Sequence, residues 1–548
     1  MKLKILASVV LCLISNTLVQ SQKLSDKEKL VTTAKVWGFL KYYHPNVSNG
    51  SYDWDDELLN IMPKLSQADE VADLSDIYKD WILSLGKMPE CRTCGNSINS
   101  TFDKNYNLDW IKDEKLISKE LSTILVKIKD NRNLGNQYYV GTTGAGNAYP
   151  KNEKKYIGDN FPNRQQRLLG FFRFWNFIEY FYPYKYMLDS NWDSILKEYI
   201  PKINAAANEK EYHLIISELI GNIDDSHTRV NFLSDSNQVK HFPYTVKDVE
   251  GECVIVGSYN AKIGAENGLM VGDIIVEVNG KNVQKYFQSN ENLLSASNHA
   301  FKKVKAYTDL LNGDLDSQKL RINRSGKILE MTVKLYKFQD FDYYNTNYFP
   351  SHSFIRSDVG YINIRTLPKD KKLISKIMSE MADSKAIIFD VRGYPQNTHL
   401  LLGEELNSEE QVFAYSIAPD LSYPGKFIYL NESKVGKKNK RNFKGLVIIL
   451  VDESTFSLGE FTVMSLQTLQ NNVTVGSQTA GADGNVSHIE YFGGHKVQVS
   501  GLGIFYPDGR ETQRKGIKID HIVNLTIDGV RSGRDEILGS ALNLISKE

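Results

Sequence analysis

An apolar run at residues 445–450 leads directly into a turn of small and hydroxyl residues, and then into a stretch typical of a helix. The turn reads Asp-Glu-Ser-Thr-Phe-Ser-Leu-Gly-Glu over residues 452–460. A buried strand, a sharp turn and a helix can present Ser457 at a helix N-terminus, where free backbone N–H groups favour a developing negative charge. Ser457 is therefore a candidate nucleophile. The alternative is that Ser454, Thr455 and Ser457 only cap the helix.

The length and charge of the chain limit the classes of function. With 548 residues, the chain is expected to form three or four structural units, and 41% hydrophobic residues suffice for sizeable cores. The 66 lysines and arginines balance 66 aspartates and glutamates, so net charge favours neither nucleic acid nor an anionic membrane as a partner. The sequence has neither a His-Glu-x-x-His motif nor a dinucleotide fingerprint. We therefore expect no metal, no organic cofactor and no nucleic-acid partner.

The first 21 residues are typical of a secretory signal peptide. Two lysines near Met1 precede an apolar core at residues 5–14, and a small-residue cleavage site follows near Ser21. The apolar core is too short to span a bilayer, and no later stretch is long enough for a transmembrane segment. We therefore expect an exported chain that is periplasmic, outer-membrane-associated or extracellular, with lipid anchoring as the alternative.

Three cysteines follow the predicted signal peptide: Cys91, Cys94 and Cys253. The spacing of Cys91 and Cys94 is compatible with a zinc half-site, a redox pair or a short-range disulfide. A zinc site needs a second pair of ligands, which no other CxxC or close histidine pair supplies. No thioredoxin-like pattern surrounds the pair. In an oxidising compartment, a structural disulfide in a surface loop is the favoured interpretation.

Two stretches in the first half of the chain resemble each other at a constant offset. An aromatic motif around Trp37 recurs 138 positions later around Trp175. The recurrence predicts a duplicated helical region, with the first copy and a linker at residues 22–150 and the second copy at residues 160–235. The aromatic residues recur at helical spacing, so we expect them to pack in a core rather than to bind a ligand.

Residues 242–337 show short alternating strands. Gly-Ala-Glu-Asn-Gly-Leu at 264–269 precedes Val-Gly-Asp-Ile-Ile-Val-Glu-Val-Asn-Gly at 271–280, and this order of helix, turn and strand resembles a PDZ domain. The resemblance implies a groove that captures an extended polypeptide at a sheet edge. A structural β domain with an empty groove is the alternative.

A second buried-strand pattern ends in Asp-Val-Arg-Gly at residues 390–393. Glycine at a strand end lets a ligand approach the backbone, so the Gly393 N–H can act as a donor. Together with the Leu458 N–H it forms a candidate oxyanion hole. Apolar strands alternate with helical stretches in this part of the chain, which predicts an α/β domain at residues 345–548.

The order of these motifs resembles the S41 family of serine peptidases. Asp-Asp-Ser-His-Thr at 224–228, the PDZ-like module, Asp-x-Arg-Gly, the serine turn, Thr-x-Gly at 479–481 and Pro-Asp-Gly at 507–509 follow one another as in that family. The resemblance covers the chain from about residue 168 onward. It implies a multidomain α+β protein whose catalytic core is a ClpP/crotonase-like α/β domain, with Ser457 as the nucleophile.

The resemblance also indicates the general base. Processing proteases of the family use a lysine where this chain has Ala482, so a Ser–Lys dyad is disfavoured. The tricorn branch uses a Ser-His pair, which Ser226 and His227 match, and imidazole is suited to accept a hydroxyl proton near neutral pH. The resemblance puts the orienting third group at Gln513, with Glu511 as the alternative.

We therefore predict an exported serine endopeptidase of the carboxyl-terminal-processing type, which hydrolyses polypeptides through an acyl-enzyme and holds them in the PDZ groove. The first alternative is a catalytically degenerate S41-like protein that binds peptides or other ligands. The second is an esterase or another acyl hydrolase. An α/β-hydrolase is disfavoured, because the residues before Ser457 lack the glycine of a Gly-x-Ser-x-Gly elbow.

Overall fold

The protein is multidomain and mixes α-helices with β-strands. The structure is a computed structural model, and it describes residues 23–95, 101–156, 158, 160–232, 239–341, 350–491 and 494–547. The predicted signal peptide lies outside the described residues. Three regions follow in chain order: a helical region, a β-rich module and an α/β region.

The helical region is built from helices whose starts are held by capping side chains. Ser25 and Glu28 form a capping box at the first long helix, and Asn163 and Gln166 form one at the corresponding helix later in the chain. Both helices are buried along most of their length, because other helices pack around them. The elements of this region are α1 (Asp26–Tyr43), α2 (Pro45–Ser48), α3 (Trp54–Leu65), α4 (Val71–Ser84), β1 (Thr101–Phe102), α5 (Lys119–Asp130), β2 (Val140–Thr142), β3 (Ala148–Pro150), α6 (Arg164–Phe181), α7 (Trp192–Ala205), α8 (Glu209–Gly221) and β4 (Arg229–Asn231).

A reciprocal pair of tryptophans joins two helices in each half of this region. Trp37 and Trp54 each donate an indole N–H to the other's carbonyl oxygen, both at 2.9 Å. Trp175 and Trp192 form the same two bonds, at 2.9 and 3.0 Å. Each buried indole N–H therefore has its hydrogen-bond partner within the core, as a packing role for these aromatic residues requires.

The middle module is a six-stranded antiparallel sheet with helices packed against it. Its elements are β5 (Tyr244–Val249), β6 (Glu252–Ser258), α9 (Ala261–Asn267), β7 (Ile274–Val278), β8 (Lys281–Asn282), α10 (Val283–Asn290), α11 (His299–Leu311), β9 (Ser317–Arg324) and β10 (Lys327–Lys334). The strand order is β10-β9-β7-β6-β5, with β8 beside β7, so β5 is an edge strand. Helix α11 packs near β5, and Tyr307 Oη donates to Asp248 Oδ1 at 3.0 Å. The assignment of this module as PDZ-like stays a prediction.

The α/β region holds the remaining elements. They are β11 (His352–Arg356), β12 (Val359–Asn363), α12 (Lys371–Glu380), β13 (Ala386–Asp390), α13 (His399–Leu406), β14 (Gln411–Pro419), β15 (Phe427–Tyr429), β16 (Ser433–Val435), β17 (Leu446–Val451), α14 (Leu458–Leu466), β18 (Asn472–Gly476), β19 (Val486–Tyr491), β20 (His495–Ser500), β21 (Gly503–Phe505), β22 (His521–Ile522), α15 (Ile527–Arg531) and α16 (Glu536–Lys547).

The main sheet of the α/β region has the order β11-β12-β13-β17-β18-β22. Its strands are parallel from β12 to β22, and β11 is the antiparallel edge. Strands β13 and β17 are neighbours, with Asp390 opposite Leu450. Their carboxyl ends meet at one edge of the sheet, which is where open parallel sheets bind their ligands. Strand β13 leads there to Gly393. Strand β17 leads to the turn at residues 452–460 that contains Ser457, the serine turn.

Both faces of this sheet are buried, which explains the continuous apolar runs in its central strands. Phe389 and Ile449 belong to a core that includes residues of α12, α13 and α14. Ile388 and Ile448 belong to the core on the other face, together with residues of α16. Because alternate residues of each strand enter opposite cores, the strand ends that carry the site are held from both sides.

A three-stranded sheet connects the helical region to the α/β region. Strand β4 follows the turn at residues 224–228, the histidine turn, and pairs antiparallel with β20, which in turn pairs with β19. Gln498 is opposite Arg229 in this pairing. Continued two positions beyond this pair, the same register brings Ser500, the last residue of β20, beside His227, which precedes β4.

Two further expectations concern the cysteines and the membrane. Cys91 and Cys94 form a disulfide in the loop after α4, in agreement with the favoured interpretation of this pair. Cys253 is a buried free cysteine. Among the helices of the described residues, none combines the length and the apolar character needed to cross a membrane.

Candidate active site

Ser457 lies in a sharp turn between β17 and α14. Its backbone has φ 53° and ψ −117°, and a positive φ is uncommon in a residue with a side chain. Ser457 N donates to the Ala482 carbonyl at 3.1 Å, and Thr455 Oγ1 donates to the Val391 carbonyl at 3.0 Å. The Ser457 side chain makes no capping hydrogen bond to α14. The structure therefore does not support the alternative that the Ser457 side chain only caps α14. A strained backbone at this position is typical of a residue in a functional site.

The two predicted oxyanion donors lie at neighbouring strand ends. Gly393 has φ 113°, a conformation that favours glycine. Leu458 is the first residue of α14, where backbone N–H groups have no partner within the helix. Within the described residues, neither N–H donates a hydrogen bond to another backbone group. Both are available to a ligand oxygen at this edge of the sheet.

One buried carboxylate holds the loop after β18 against α14. Glu460 accepts hydrogen bonds from Thr479 Oγ1 at 2.6 Å, Gly481 N at 2.8 Å and Ala482 N at 3.0 Å. Burial raises the pKa of Glu460 to about 7, and the three donors act in the opposite direction. Ala482 in turn accepts from Ser457 N, so this position supports the serine turn through its backbone.

His227 lies beside the serine turn, although it belongs to the helical region. Its ring centroid is 4.7 Å from that of Phe456, the residue before Ser457. The side chain is 3% exposed. Burial lowers the pKa of His227 to about 4, and the nearby Asp225 carboxylate acts in the opposite direction. The imidazole is therefore neutral near pH 7, which is the form that accepts a proton.

Helix α11 of the middle module contacts both halves of the site. Phe301 stacks on Phe456, with ring centroids 5.2 Å apart. Lys305 Nζ donates to the Thr228 carbonyl at 2.7 Å and to the Ser295 carbonyl at 2.5 Å. Burial lowers the pKa of Lys305 to about 8. The module thus helps to hold the histidine turn and the serine turn in their relative positions.

The second ring nitrogen of His227 is engaged by a residue that sequence reasoning missed. His227 Nδ1 is hydrogen-bonded to Ser500 Oγ at 2.9 Å. Ser500 Oγ is 3.0 Å from Asp225 Oδ1, and Ser500 N donates to Asp225 Oδ2 at 2.7 Å. No motif surrounds Ser500 in the sequence. Only the pairing of β20 with β4 could have indicated its position.

Gln513 lies near the site, but among the described residues it makes no hydrogen bond to the imidazole. It is fully buried, and its Nε2 donates to Asp225 Oδ1 and to Ser297 Oγ, both at 3.3 Å. Neither bond involves the ring of His227. Gln513 therefore supports Asp225 in this structure, whereas the resemblance had assigned it to the ring itself.

Glu511 takes part in a different set of contacts. Its Oε1 accepts from Lys104 Nζ at 3.3 Å, and its Oε2 accepts from Lys515 Nζ at 3.1 Å. Tyr186 Oη also donates to Oε1, at 3.4 Å. Among the described residues, the hydrogen bonds of this carboxylate go to these three side chains and not to His227.

Ser226 ties the histidine turn to the rest of the site. Its Oγ donates to the Ala480 carbonyl at 2.7 Å and accepts from Ser297 N at 3.0 Å. The hydroxyl group therefore links three segments of the chain. Among the described residues it makes no hydrogen bond to the ring of His227.

A cavity of about 580 Å³ lies between the middle module and the α/β region. An ion cluster lies in its wall, where Lys247 of β5 pairs with Asp452 and with Glu453, the latter at 2.9 Å. Burial by itself would lower the pKa of Lys247, but the two carboxylates raise it overall. The rest of the wall is partly apolar and includes the loop after β13; it contributes Phe242, Tyr244, Val246, Val304, Leu311 and Gly393.

Comparison with known sequences identifies two stretches of the chain. Residues 358–523 match the sequence model of peptidase family S41, and residues 164–221 match that of the tricorn protease C1 domain. The carboxy-terminal processing protease CtpA of Bacillus subtilis (strain 168) is 24% identical over 352 residues, which cover 60% of this chain and 67% of the relative. The first match includes Gly393 and Ser457, and the second ends shortly before His227.

Two solved structures share the fold. Mature CPAF has a TM-score of 0.55 at 14% identity, with 70% of this chain and 98% of that chain covered. Mature CPAF complexed with lactacystin has a TM-score of 0.54 at 15% identity, with 70% and 99% covered. At these identities the likeness concerns the fold.

Proposed function

We propose that this chain, a serine-type peptidase of family S41, cleaves polypeptides through an acyl-enzyme formed on Ser457. Ser457 Oγ attacks the peptide carbonyl carbon while His227 Nε2 accepts its proton. The N–H groups of Gly393 and Leu458 stabilise the oxyanion. His227 then protonates the leaving amine. In the second step His227 takes a proton from a water molecule that attacks the acyl-enzyme, and it returns this proton to Ser457 Oγ as the acid product leaves.

One observation carries this proposal. The ring of His227 packs 4.7 Å from the ring of Phe456, although the two residues come from different regions of the chain. A histidine that only ended a helix would have no reason to lie against the residue before a strained serine. The neutral state of the buried imidazole also supports a role as base.

We further propose that the middle module is PDZ-like and that its groove holds the end of the substrate polypeptide. Strand β5 has a free outer edge, which can add an extended peptide through its main-chain groups. The cavity beside β5 and α11 also borders Gly393, so it joins the groove to the loop after β13 that carries this proposed oxyanion donor. A polypeptide lying in the groove would therefore reach the serine turn without leaving the cavity.

We also propose that the protein is exported and that its two helical segments are copies of one unit. The Cys91–Cys94 disulfide supports an oxidising compartment. The recurrence of the reciprocal tryptophan bonds, Trp37 with Trp54 and Trp175 with Trp192, supports the duplication. Mass spectrometry of the secreted protein would test export, and it is expected to find a mature N-terminus near Gln22.

A fluorophosphonate probe tests the catalytic part of the proposal. We expect covalent labelling of the wild-type protein, loss of labelling in Ser457→Ala, and strong reduction in His227→Ala. Ser454→Ala is the matched control, since this serine lies in the same turn but binds Asp452. Absence of labelling in the wild type would favour a non-catalytic binding protein. Hydrolysis of small esters without digestion of labelled casein would favour an acyl hydrolase.

A further inference from the structure

Asp225 is a fully buried carboxylate surrounded by hydrogen-bond donors. Its two oxygens accept from His227 N at 3.0 Å, Thr228 Oγ1 at 3.2 Å, Ser500 N at 2.7 Å, Ser500 Oγ at 3.0 Å and Gln513 Nε2 at 3.3 Å. A buried carboxylate needs such donors in place of water. Five donors from four residues hold Asp225 in one orientation, two positions before His227.

The hydroxyl group of Ser500 bridges this carboxylate and the imidazole. His227 Nδ1 and Asp225 Oδ1 are 3.8 Å apart, too far for a direct hydrogen bond. Ser500 Oγ lies 2.9 Å from the first atom and 3.0 Å from the second. A hydroxyl has one proton to donate, and a carboxylate can only accept. Ser500 therefore donates to Asp225, and the proton in its other hydrogen bond is carried by His227 Nδ1.

This assignment determines the tautomer of His227. With the proton on Nδ1, the lone pair lies on Nε2, which is the nitrogen needed as base. We propose that Asp225, acting through the Ser500 hydroxyl, is the positioning carboxylate of His227, in the role expected of Gln513 or Glu511. The inference rests on the proposed function, since it concerns how the base of that reaction is prepared.

The relay stabilises the charge that forms on His227 during the reaction. When Nε2 takes the proton of Ser457, the imidazolium keeps its Nδ1–H bond to Ser500, whose own O–H points to the negative carboxylate. No proton leaves Nδ1, and the charge is balanced through the polarised hydroxyl. Lys305 and Arg229 are the other charged groups that act on His227, and both disfavour imidazolium, so Asp225 supplies the compensation.

Substitution of Ser500 and Asp225 tests the relay. Ser500→Ala removes the bridge and is expected to lower kcat against fluorescein-labelled casein by about 10²-fold with little change in KM. Ser500→Thr keeps the hydroxyl and is expected to restore most of the activity. In Asp225→Asn, the amide can donate a hydrogen bond to Ser500 Oγ. Ser500 then donates to His227 Nδ1, so the ring proton moves to Nε2. We expect this variant to lose more activity than Ser500→Ala and to shift the acidic limb of kcat/KM to lower pH.

Ser487→Ala is the matched structural control. Ser487 is a buried serine on the neighbouring strand β19, and its hydroxyl donates to the Ala148 carbonyl at 2.5 Å, away from His227. We expect a similar decrease in Tm for Ser487→Ala and Ser500→Ala, but an unchanged kcat and pH profile only for the former. Folded Ser500→Ala and Asp225→Asn variants with wild-type kcat and pH profile would overturn the relay.

Nuclear magnetic resonance of ¹⁵N-histidine-labelled protein separates this inference from the proposed function. We expect the Nδ1–H tautomer for His227 in the wild type and in Ser487→Ala, and a changed signal in Ser500→Ala. If the wild type shows this tautomer but neither labels with fluorophosphonate nor digests casein, the peptidase proposal fails and the relay stands. If Ser457 is reactive but His227 carries its proton on Nε2, the relay fails and the peptidase proposal stands.

Discussion

The rings of His227 and Phe456 lie 4.7 Å apart, although 229 positions separate the two residues in the chain. The contact joins the end of the helical region to the serine turn of the α/β region. It is made possible by strand β4, which leaves the histidine turn and pairs with β20. In the proposed mechanism the base therefore comes from the helical region, and Ala482 stands where the resemblance implies a lysine in processing proteases.

The first prediction concerns the identity of the base. We expect His227→Ala to lower kcat/KM against labelled casein by about 10³-fold or more, because it removes the imidazole that we propose accepts the hydroxyl proton. Lys515→Ala is expected to leave activity unchanged, since the Lys515 side chain is 63% exposed and pairs with Glu511. An inactive Lys515→Ala variant alongside an active His227→Ala variant would contradict the assignment.

The second prediction concerns the carboxylate behind the serine turn. Glu460→Ala leaves Thr479 Oγ1, Gly481 N and Ala482 N without their acceptor in a buried site. We expect a loss of about 3 kcal/mol in the free energy of unfolding, measured by urea titration, together with loss of fluorophosphonate labelling. Glu380→Ala is the control, because its exposed pair with Lys376 is worth about 0.5 kcal/mol or less. Equal effects of the two substitutions would refute this account of the loop.

The third prediction concerns the ion cluster between β5 and the serine turn. Lys247→Met leaves the buried Asp452 and the half-buried Glu453 without the ammonium that pairs with both of them. We expect destabilisation of about 3 to 5 kcal/mol, because an uncompensated buried charge is costly. Lys371→Met, which breaks an ion pair with a 62% exposed lysine, is the control and should change little.

The double variant Lys247→Met with Glu453→Gln sharpens this test. It removes one of the two carboxylates that lose their ion pair in Lys247→Met, so it should recover part of the lost stability. If Lys247→Met alone has no measurable effect on thermal unfolding, the cluster does not hold the module to the α/β region.

The fourth prediction concerns the pH dependence of stability. Burial lowers the pKa of His399 to about 4, whereas an imidazole in the unfolded chain titrates near 6.5. Between these values the unfolded state binds more protons, so the free energy of unfolding falls as pH drops from 6.5 to about 4. This histidine accounts for up to about 3 kcal/mol of that fall. His44 and His227 act in the same direction, and Glu460, with a pKa of about 7, acts in the opposite one.

Comparison of variants isolates the contribution of His399. Its ring packs edge-on against Phe461, with centroids 5.5 Å apart, so His399→Phe keeps an aromatic side chain there. We expect a shallower dependence of the unfolding free energy on pH below 6.5 for this variant, measured by urea titration at several pH values. His299→Gln, at a 64% exposed side chain, should keep the wild-type slope. A wild-type slope in His399→Phe would contradict the pKa shift.

Much of the site could be inferred from local patterns. The apolar runs before Gly393 and Ser457 predicted two buried strands, and parallel neighbours of this kind bring their carboxyl ends together. The structure has those strands side by side and puts the two predicted oxyanion donors at adjacent ends. The disulfide between Cys91 and Cys94 could also be predicted from the sequence, since it links residues three positions apart.

The surroundings of His227 could not be inferred in the same way. Gln513 and Glu511 stood at the positions where relatives carry an orienting group, yet Gln513 bonds to Asp225 and Glu511 bonds to lysines. Ser500 carried no motif at all. The contacts of a buried imidazole depend on which strand pairs with which, and a one-residue slip in that register would turn Ser500 to the other face.

The sequence by itself determined the strand–turn–helix that presents Ser457 and the glycine that offers its N–H, because both follow from neighbours along the chain. Only the tertiary structure shows that His227 lies beside the serine turn and that Ser500 and Asp225 adjoin His227. His227, Ser500 and Asp225 are brought together by the pairing of β4 with β20. Long-range pairing depends on the packing of whole domains, and no local pattern around any one of these residues records it.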